Sequence, residues 1–209
     1  MDRDKEGRAY VNIAVLCSGS GTNLRAIIDK IRSGYIPANI AIVVSDNKNA
    51  LALERASEAG IDTLVLDKKD FASREDFDRA LAANLSNKKI DLVVLAGFMR
   101  LLSPYFIKKY RNKIINIHPA LLPAFKGTRG IKDALEYGAR VTGPTVHFVE
   151  EELDSGPIIL QRAIEIKPED TEESLLERVH AEEHKIYPEA IKLFVEGRLK
   201  INGRKVIIK

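Results

Sequence analysis

The sequence predicts an α/β protein, a doubly wound and mostly parallel sheet in a single domain. Three observations carry that expectation. Short runs rich in β-branched residues alternate with longer amphipathic segments. The runs are apolar at nearly every position rather than at every second one, as strands buried on both faces are. The 209 residues, 45% hydrophobic and 30% charged, suffice for one core under a well-solvated surface.

Residues 1–10 (MDRDKEGRAY) are charged and lack an apolar stretch, so the sequence predicts a flexible start without a signal segment. The runs 11–17 (VNIAVLC), 40–45 (IAIVVS) and 91–96 (DLVVLA) read as buried strands, with 63–66 and 114–117 as shorter ones. Helical patterns cover 23–32, 49–58, 73–85 and 104–110. From about residue 116 the rhythm changes. A Pro/Gly-punctuated stretch over 119–130 leads into a helix over 131–137. Strand-like runs at 145–149 and 157–166 flank an acidic turn, 150–156. A long helix spans 171–196, with Thr171 as its cap and Ser174 in the first turn, and 199–208 reads as a hairpin turning at Asn202-Gly203. There is no repeat, low-complexity tract or linker, so 1–209 is expected to be one domain. Within it, about 11–98 form one half, 99–198 the other, and 199–209 a terminal hairpin.

The 33 basic and 30 acidic residues are interspersed and leave a net charge of +3, which offers no nucleic-acid footprint but suits a small anionic substrate. The one cysteine, Cys17, excludes an internal disulfide and a cysteine-based zinc site. No segment is apolar over a membrane-spanning length, and the expectation is a cytoplasmic protein with no membrane or nucleic-acid partner.

Three places could carry chemistry. Ser18-Gly19-Ser20-Gly21-Thr22-Asn23 follows the first strand and opens a helix, where backbone N–H groups can converge on a phosphate at the positive helix end. It lacks the Lys of a Walker loop, and Leu24 stands where a dinucleotide fingerprint has its third glycine. An ordinary tight turn capped by Thr22 competes with that reading, and the loop alone leaves both open. Asn116 and His118 lie at the C-terminal end of a strand, where open α/β sheets bind ligands, and alternation puts them on one face. An amide and an imidazole so placed can bind one oxyanion, and the imidazole can carry a proton. A buried, hydrogen-bonded histidine at a strand end is the competing reading. Asp154 sits at the lip of the LDSGP turn, which by itself reads as an Asx-turn starting the next strand. His147 reads as a packed strand residue, and Arg74 and Glu183 as solvated helix charges. His180 and His184 have i,i+4 spacing but no third ligand, so no metal site is expected.

SGSGTNL, DLVVLAGFMRLLSP, INIHPALLPAFKG and TVHFVEEELDSGPIILQ, in this order between about residues 12 and 197, resemble the glycinamide ribonucleotide transformylases. The resemblance implies a Rossmann-like formyltransferase fold. It also implies formyl transfer from 10-formyltetrahydrofolate, as co-substrate, to the amine of glycinamide ribonucleotide in purine biosynthesis, with no metal. It places Gly21, Thr22 and Asn23 at the substrate phosphate and Glu183 near the ribonucleotide. Arg74, Met99, Arg100, Leu101 and Leu102 correspond to folate-pocket positions, the last four largely through main-chain groups. Glu150, Glu151, Glu152, Leu153 and Asp154 correspond to a mobile loop closing over the pterin. Asn116, His118 and Asp154 match the catalytic trio, with Asp154 orienting His118 and Asn116 also touching the folate. Two places depart from the family pattern, Thr128-Arg129-Gly130 and Pro144, and contacts there are not carried over. Methionyl-tRNA formyltransferases share the trio but add an RNA-binding domain that 209 residues do not accommodate. Sugar-nucleotide formyltransferases, formyltetrahydrofolate hydrolases and a non-catalytic folate- or nucleotide-binding module also compete with the transformylase reading. Monomer and homodimer are both compatible with the sequence.

Overall fold

The computed structural model describes residues 10–209, so the expectation of a flexible start at 1–10 falls, but for Tyr10, outside the described residues. The chain forms two compact units, the first reaching Ile115 and the second Asn116–Lys209.

In the first unit, β1 (Val11–Cys17), β2 (Ala38–Ser45), β3 (Thr63–Val65) and β4 (Leu92–Leu95) pair in parallel in the order β4-β1-β2-β3. Ile13 to Cys17 are fully buried, which is what a uniformly apolar central strand requires. The crossovers are helical: α1 (Thr22–Arg32), α2 (Leu51–Glu58) and α3 (Arg74–Ser86), with α4 (Pro104–Lys109) after β4. Leu24, Ile27 and Ile28 bury the apolar stripe of α1, each side chain stabilising by roughly 1.5–3 kcal/mol. Ser73 caps α3 by accepting from the Asp76 N–H, and Ser103 caps α4 ahead of Pro104. α2 starts at Leu51 rather than 49, because Asn47 Oδ1 accepts the Asn49 N–H at 3.0 Å and so spends those residues on an Asx-turn.

β5 (Ile114–His118) carries the chain into the second unit. There follow α5 (Gly130–Tyr137), β6 (Val141–Thr142), β7 (Thr145–Phe148), β8 (Ile158–Gln161), β9 (Ile164–Glu165), α6 (Glu172–Val195), β10 (Leu199–Asn202) and β11 (Lys205–Ile208). The strand order is β10-β11-β8-β7-β5, with β7–β8 and β10–β11 antiparallel and β8–β11 parallel. The strand expected over 157–166 is broken in two. β9 leaves to pair with β6, and Gly143 packs so closely against Arg162 that a Cβ there would lie 1.8 Å from the Arg162 carbonyl oxygen. α6 carries the expected Thr171 cap as a full capping box with Ser174, and Leu175, Val179, Ile186 and Ala190 bury its apolar stripe. Parallel strands flanked by helices thus bear out the predicted α/β class. Among the described residues, no helix is long and apolar enough to cross a membrane.

Candidate active site

Alternation along β5 sets Asn116 and His118 on one face, as the sequence predicts. β7 is the neighbour of β5 and brings His147 to the same place, with its Nε2 3.2 Å from Asn116 Nδ2. The hydrogen-bond partners decide the tautomer. His147 Nδ1 is 2.8 Å from the Phe148 carbonyl oxygen and must donate, so Nε2 accepts from the Asn116 amide. Burial pushes the His147 pKa below the ordinary histidine value, against the opposing pull of the Phe148 carbonyl and the Asp154 carboxylate. A neutral ring fits both bonds.

Asp154 arrives from the loop between β7 and β8, in a left-handed conformation with φ 49°. Its Oδ2 accepts from the Gly127 N–H at 2.8 Å and lies 3.5 Å from His118 Nδ1. Its Oδ1 is 3.8 Å from His147 Nε2, so one buried carboxylate spans two imidazoles. His118 Nε2 donates to the Phe125 carbonyl at 2.8 Å, leaving Nδ1 toward Asp154. Thr145 Oγ1 fixes the segment after His118, donating to the Ala120 carbonyl at 2.6 Å and accepting from the Leu122 N–H at 3.1 Å. The loop carrying Asp154 is pinned by Lys126 on Glu152 at 2.9 Å and by Ser155 Oγ donating to the Glu152 carbonyl at 2.8 Å. Glu150, Glu151 and Leu153 stand exposed on it. At the two places that depart from the family pattern, Arg129 pairs with Asp133 and Glu136, and the Pro144 carbonyl accepts the Arg162 N–H.

In the first unit the SGSGTN turn leaves β1. The Ser18 N–H donates to the Gly97 carbonyl at 3.0 Å, and Ser18 Oγ accepts from the Met99 N–H at 3.0 Å. These bonds bring the turn beside the start of the 99–102 segment. The cap of α1 is Gly21, in the left-handed conformation and without a side-chain cap bond, so Thr22 is the first helical residue and not the cap. Asn23 is buried. Burial pushes the Cys17 thiol up to about 12, which leaves it inert as a nucleophile. Met99 and Leu101 expose their side chains while Leu102 enters the core. Arg100 lies over the Phe77 ring at 4.2 Å. Arg74 opens α3, and with Arg100 it acts on Asp78, which burial raises while the Ser103 side chain and N–H and the two arginines pull it back.

Glu183 corrects its reading as a solvated charge, because it is only 4% exposed on α6. His180 Nε2 lies 4.0 Å from its Oε2, and His180 and His184 stack at 6.3 Å. Among the described residues no group of three or more His, Cys, Asp or Glu could hold a metal ion. His147 is the residue that sequence reasoning placed only in the packing. It is packed, but against Asn116 and Asp154. The available signal was the alternation in TVHFV, which needs the β5–β7 pairing before it points anywhere.

A sequence profile of formyl transferases matches residues 11–191, and the chain belongs to the formyl transferase family. It is similar to the phosphoribosylglycinamide formyltransferase of Escherichia coli (strain K12), 45% identical over 192 residues that are 92% of this chain and 91% of that one. It is also similar to the crystal structure of glycinamide ribonucleotide transformylase 1 from Symbiobacterium toebii, with TM-score 0.94 and 53% identity, covering 95% of this chain and 94% of that one. The trifunctional purine biosynthetic protein adenosine-3 of Drosophila melanogaster is 46% identical over 91% of this chain. The match covers 14% of that protein, so the chain spans about one seventh of its length.

Proposed function

We propose that this chain transfers the formyl group of 10-formyltetrahydrofolate to the amine of glycinamide ribonucleotide, a step of purine biosynthesis. The observation that carries the reading is the cluster of a half-buried Asn116 with the buried side chains of His118 and Asp154, joined through His147, in a chain whose full-length relatives bear that activity in their names. The free amine attacks the formyl carbon directly, without a covalent enzyme intermediate. One Asn116 amide hydrogen is spent on His147, and the second is available to the oxygen that becomes negative in the tetrahedral adduct. His118, in its protonated form, turns its Nε2–H from the Phe125 carbonyl to share that charge, gives that proton to the departing folate nitrogen and takes up the one that the attacking amine sheds. Asp154 holds the His118 ring in register, itself oriented by the Gly127 N–H. Holding both substrates together supplies much of the remaining acceleration.

Gly21, Thr22 and Asn23 take the substrate phosphate in this reading, and Glu183 faces the ribonucleotide. Arg74, the Met99–Leu102 main chain and the 150–154 loop receive the folate. The test is the absorbance change of the folate on adding glycinamide ribonucleotide, with nucleotide sugars and water as control acceptors. Turnover with the ribonucleotide alone supports the reading; equal turnover with a nucleotide sugar or with water overturns it.

A further inference from the structure

Three successive carbonyls of the SGSGTN turn are each held by a donor from one short stretch after β2. Asn47 Nδ2 donates to the Ser18 carbonyl at 3.3 Å, the Ala52 N–H to Gly19 at 3.2 Å, and Arg55 Nε to Ser20 at 2.8 Å. In a planar trans peptide the carbonyl of one residue and the N–H of the next point in opposite directions. Holding these three carbonyls therefore turns the N–H groups of Gly19, Ser20 and Gly21 away from that stretch. Consecutive amides turned to one side around a left-handed residue form an anion-binding nest, and Gly21 has φ 70° at the positive end of α1.

The donors are themselves built in. Asn47 Oδ1 is engaged by the Asn49 N–H, and its own N–H donates to Ser45 Oγ at 3.1 Å. Ala52 packs directly under the turn, since a Cβ on Gly21 would lie 2.8 Å from both its Cα and its Cβ. Beyond its Nε, Arg55 lines a surface hollow with Arg25, Asp29, Arg32 and Glu58, where charges of both signs offset one another.

We propose that Arg55, assisted by Asn47, is a positioning residue for phosphate recognition: it touches no substrate atom and acts by fixing the direction in which the loop amides point. The inference rests on the reading that this loop holds the phosphate of glycinamide ribonucleotide. Kinetics with glycinamide ribonucleotide and with its dephosphorylated riboside test both levels. Arg55→Ala removes one charge-assisted hydrogen bond, so the preference for ribonucleotide over riboside in kcat/KM falls about tenfold or more. The KM for the ribonucleotide rises correspondingly more than the KM for the folate. Arg55→Lys keeps the charge but not the rigid donor fork and recovers only part of the preference. Asn47→Ala shows a smaller loss in the same direction. In the wild type, inorganic phosphate shifts the amide resonances of Gly21, Thr22 and Asn23, and the Gly21 shift, whose amide shares a peptide with the Ser20 carbonyl, shrinks most in Arg55→Ala.

An undiminished preference in Arg55→Ala overturns the proposal while leaving the phosphate reading intact. Full recovery in Arg55→Lys overturns it in favour of simple charge attraction, and parallel rises in both KM values overturn it in favour of general loosening. A wild-type enzyme indifferent to the phosphate overturns the reading of the loop, and the proposal with it.

Discussion

Gly156→Ala asks how closely turnover depends on the placement of Asp154. Gly156 closes the loop between β7 and β8, two residues after Asp154. A Cβ there would lie 1.8 Å from the Phe148 carbonyl oxygen and 2.7 Å from its carbon. Non-bonded heavy atoms rest at roughly 3.5 Å, so the two backbone segments must part by more than about 1 Å. Phe148 has little freedom to retreat. Its N–H donates to the Pro157 carbonyl at 2.9 Å, and its carbonyl accepts from His147 Nδ1 at 2.8 Å. The displacement passes instead toward Asp154, whose carboxylate is 2.8 Å from the Gly127 nitrogen and 3.5 Å from His118 Nδ1. Misplacement on that scale costs about a hundredfold in rate. Overpacking costs about 1–3 kcal/mol of stability, which in a chain of this length lowers Tm by roughly 2–12 °C. The folate absorbance assay at saturating concentrations of both substrates gives kcat, and calorimetry gives Tm. A folded Gly156→Ala enzyme with kcat and Tm close to those of the wild type would refute the reasoning.

Asn116→Ala and His118→Ala each lower kcat by about a hundredfold or more, the usual cost of one lost oxyanion donor, while isothermal titration still finds both substrates bound. Either variant keeping more than about a tenth of wild-type kcat dismisses its assigned part in the transition state. Stability also depends on pH, since burial lowers the pKa values of His147, His180 and His184 in the folded chain. As pH falls through about 6.5 the unfolded histidines take up protons that the folded ones resist, so stability present above that pH is progressively lost below it. Urea unfolding between about pH 7.5 and 5.5 reads this loss, which is smaller in His147→Gln; an unchanged midpoint across the range contradicts it.

Much of the fold and part of the site were legible from neighbours in sequence. The unbroken apolar stretch from Ile13 to Cys17 within VNIAVLC announced a strand buried on both faces, and these residues are fully buried. Thr171 and Ser174 announced the start of α6, and the two-residue spacing of Asn116 and His118 placed both on one face of β5. These features depend on backbone geometry and on side chains a few positions apart, which a sequence displays directly. Other features depend on segments far apart in the chain. Asn116 and His147 are 31 residues apart and meet only because β7 lies beside β5. The break after β8 follows from close packing of Arg162 on Gly143, and the burial of Glu183 from the packing around α6. The cap of α1 fell to Gly21 rather than Thr22, in a turn whose carbonyls are held from Asn47, Ala52 and Arg55. The sequence by itself determined which residues could bond, bend or ionise. Tertiary structure alone decided which of them meet and which lose water, because strand pairing and burial are set by packing between segments that sequence spacing does not encode.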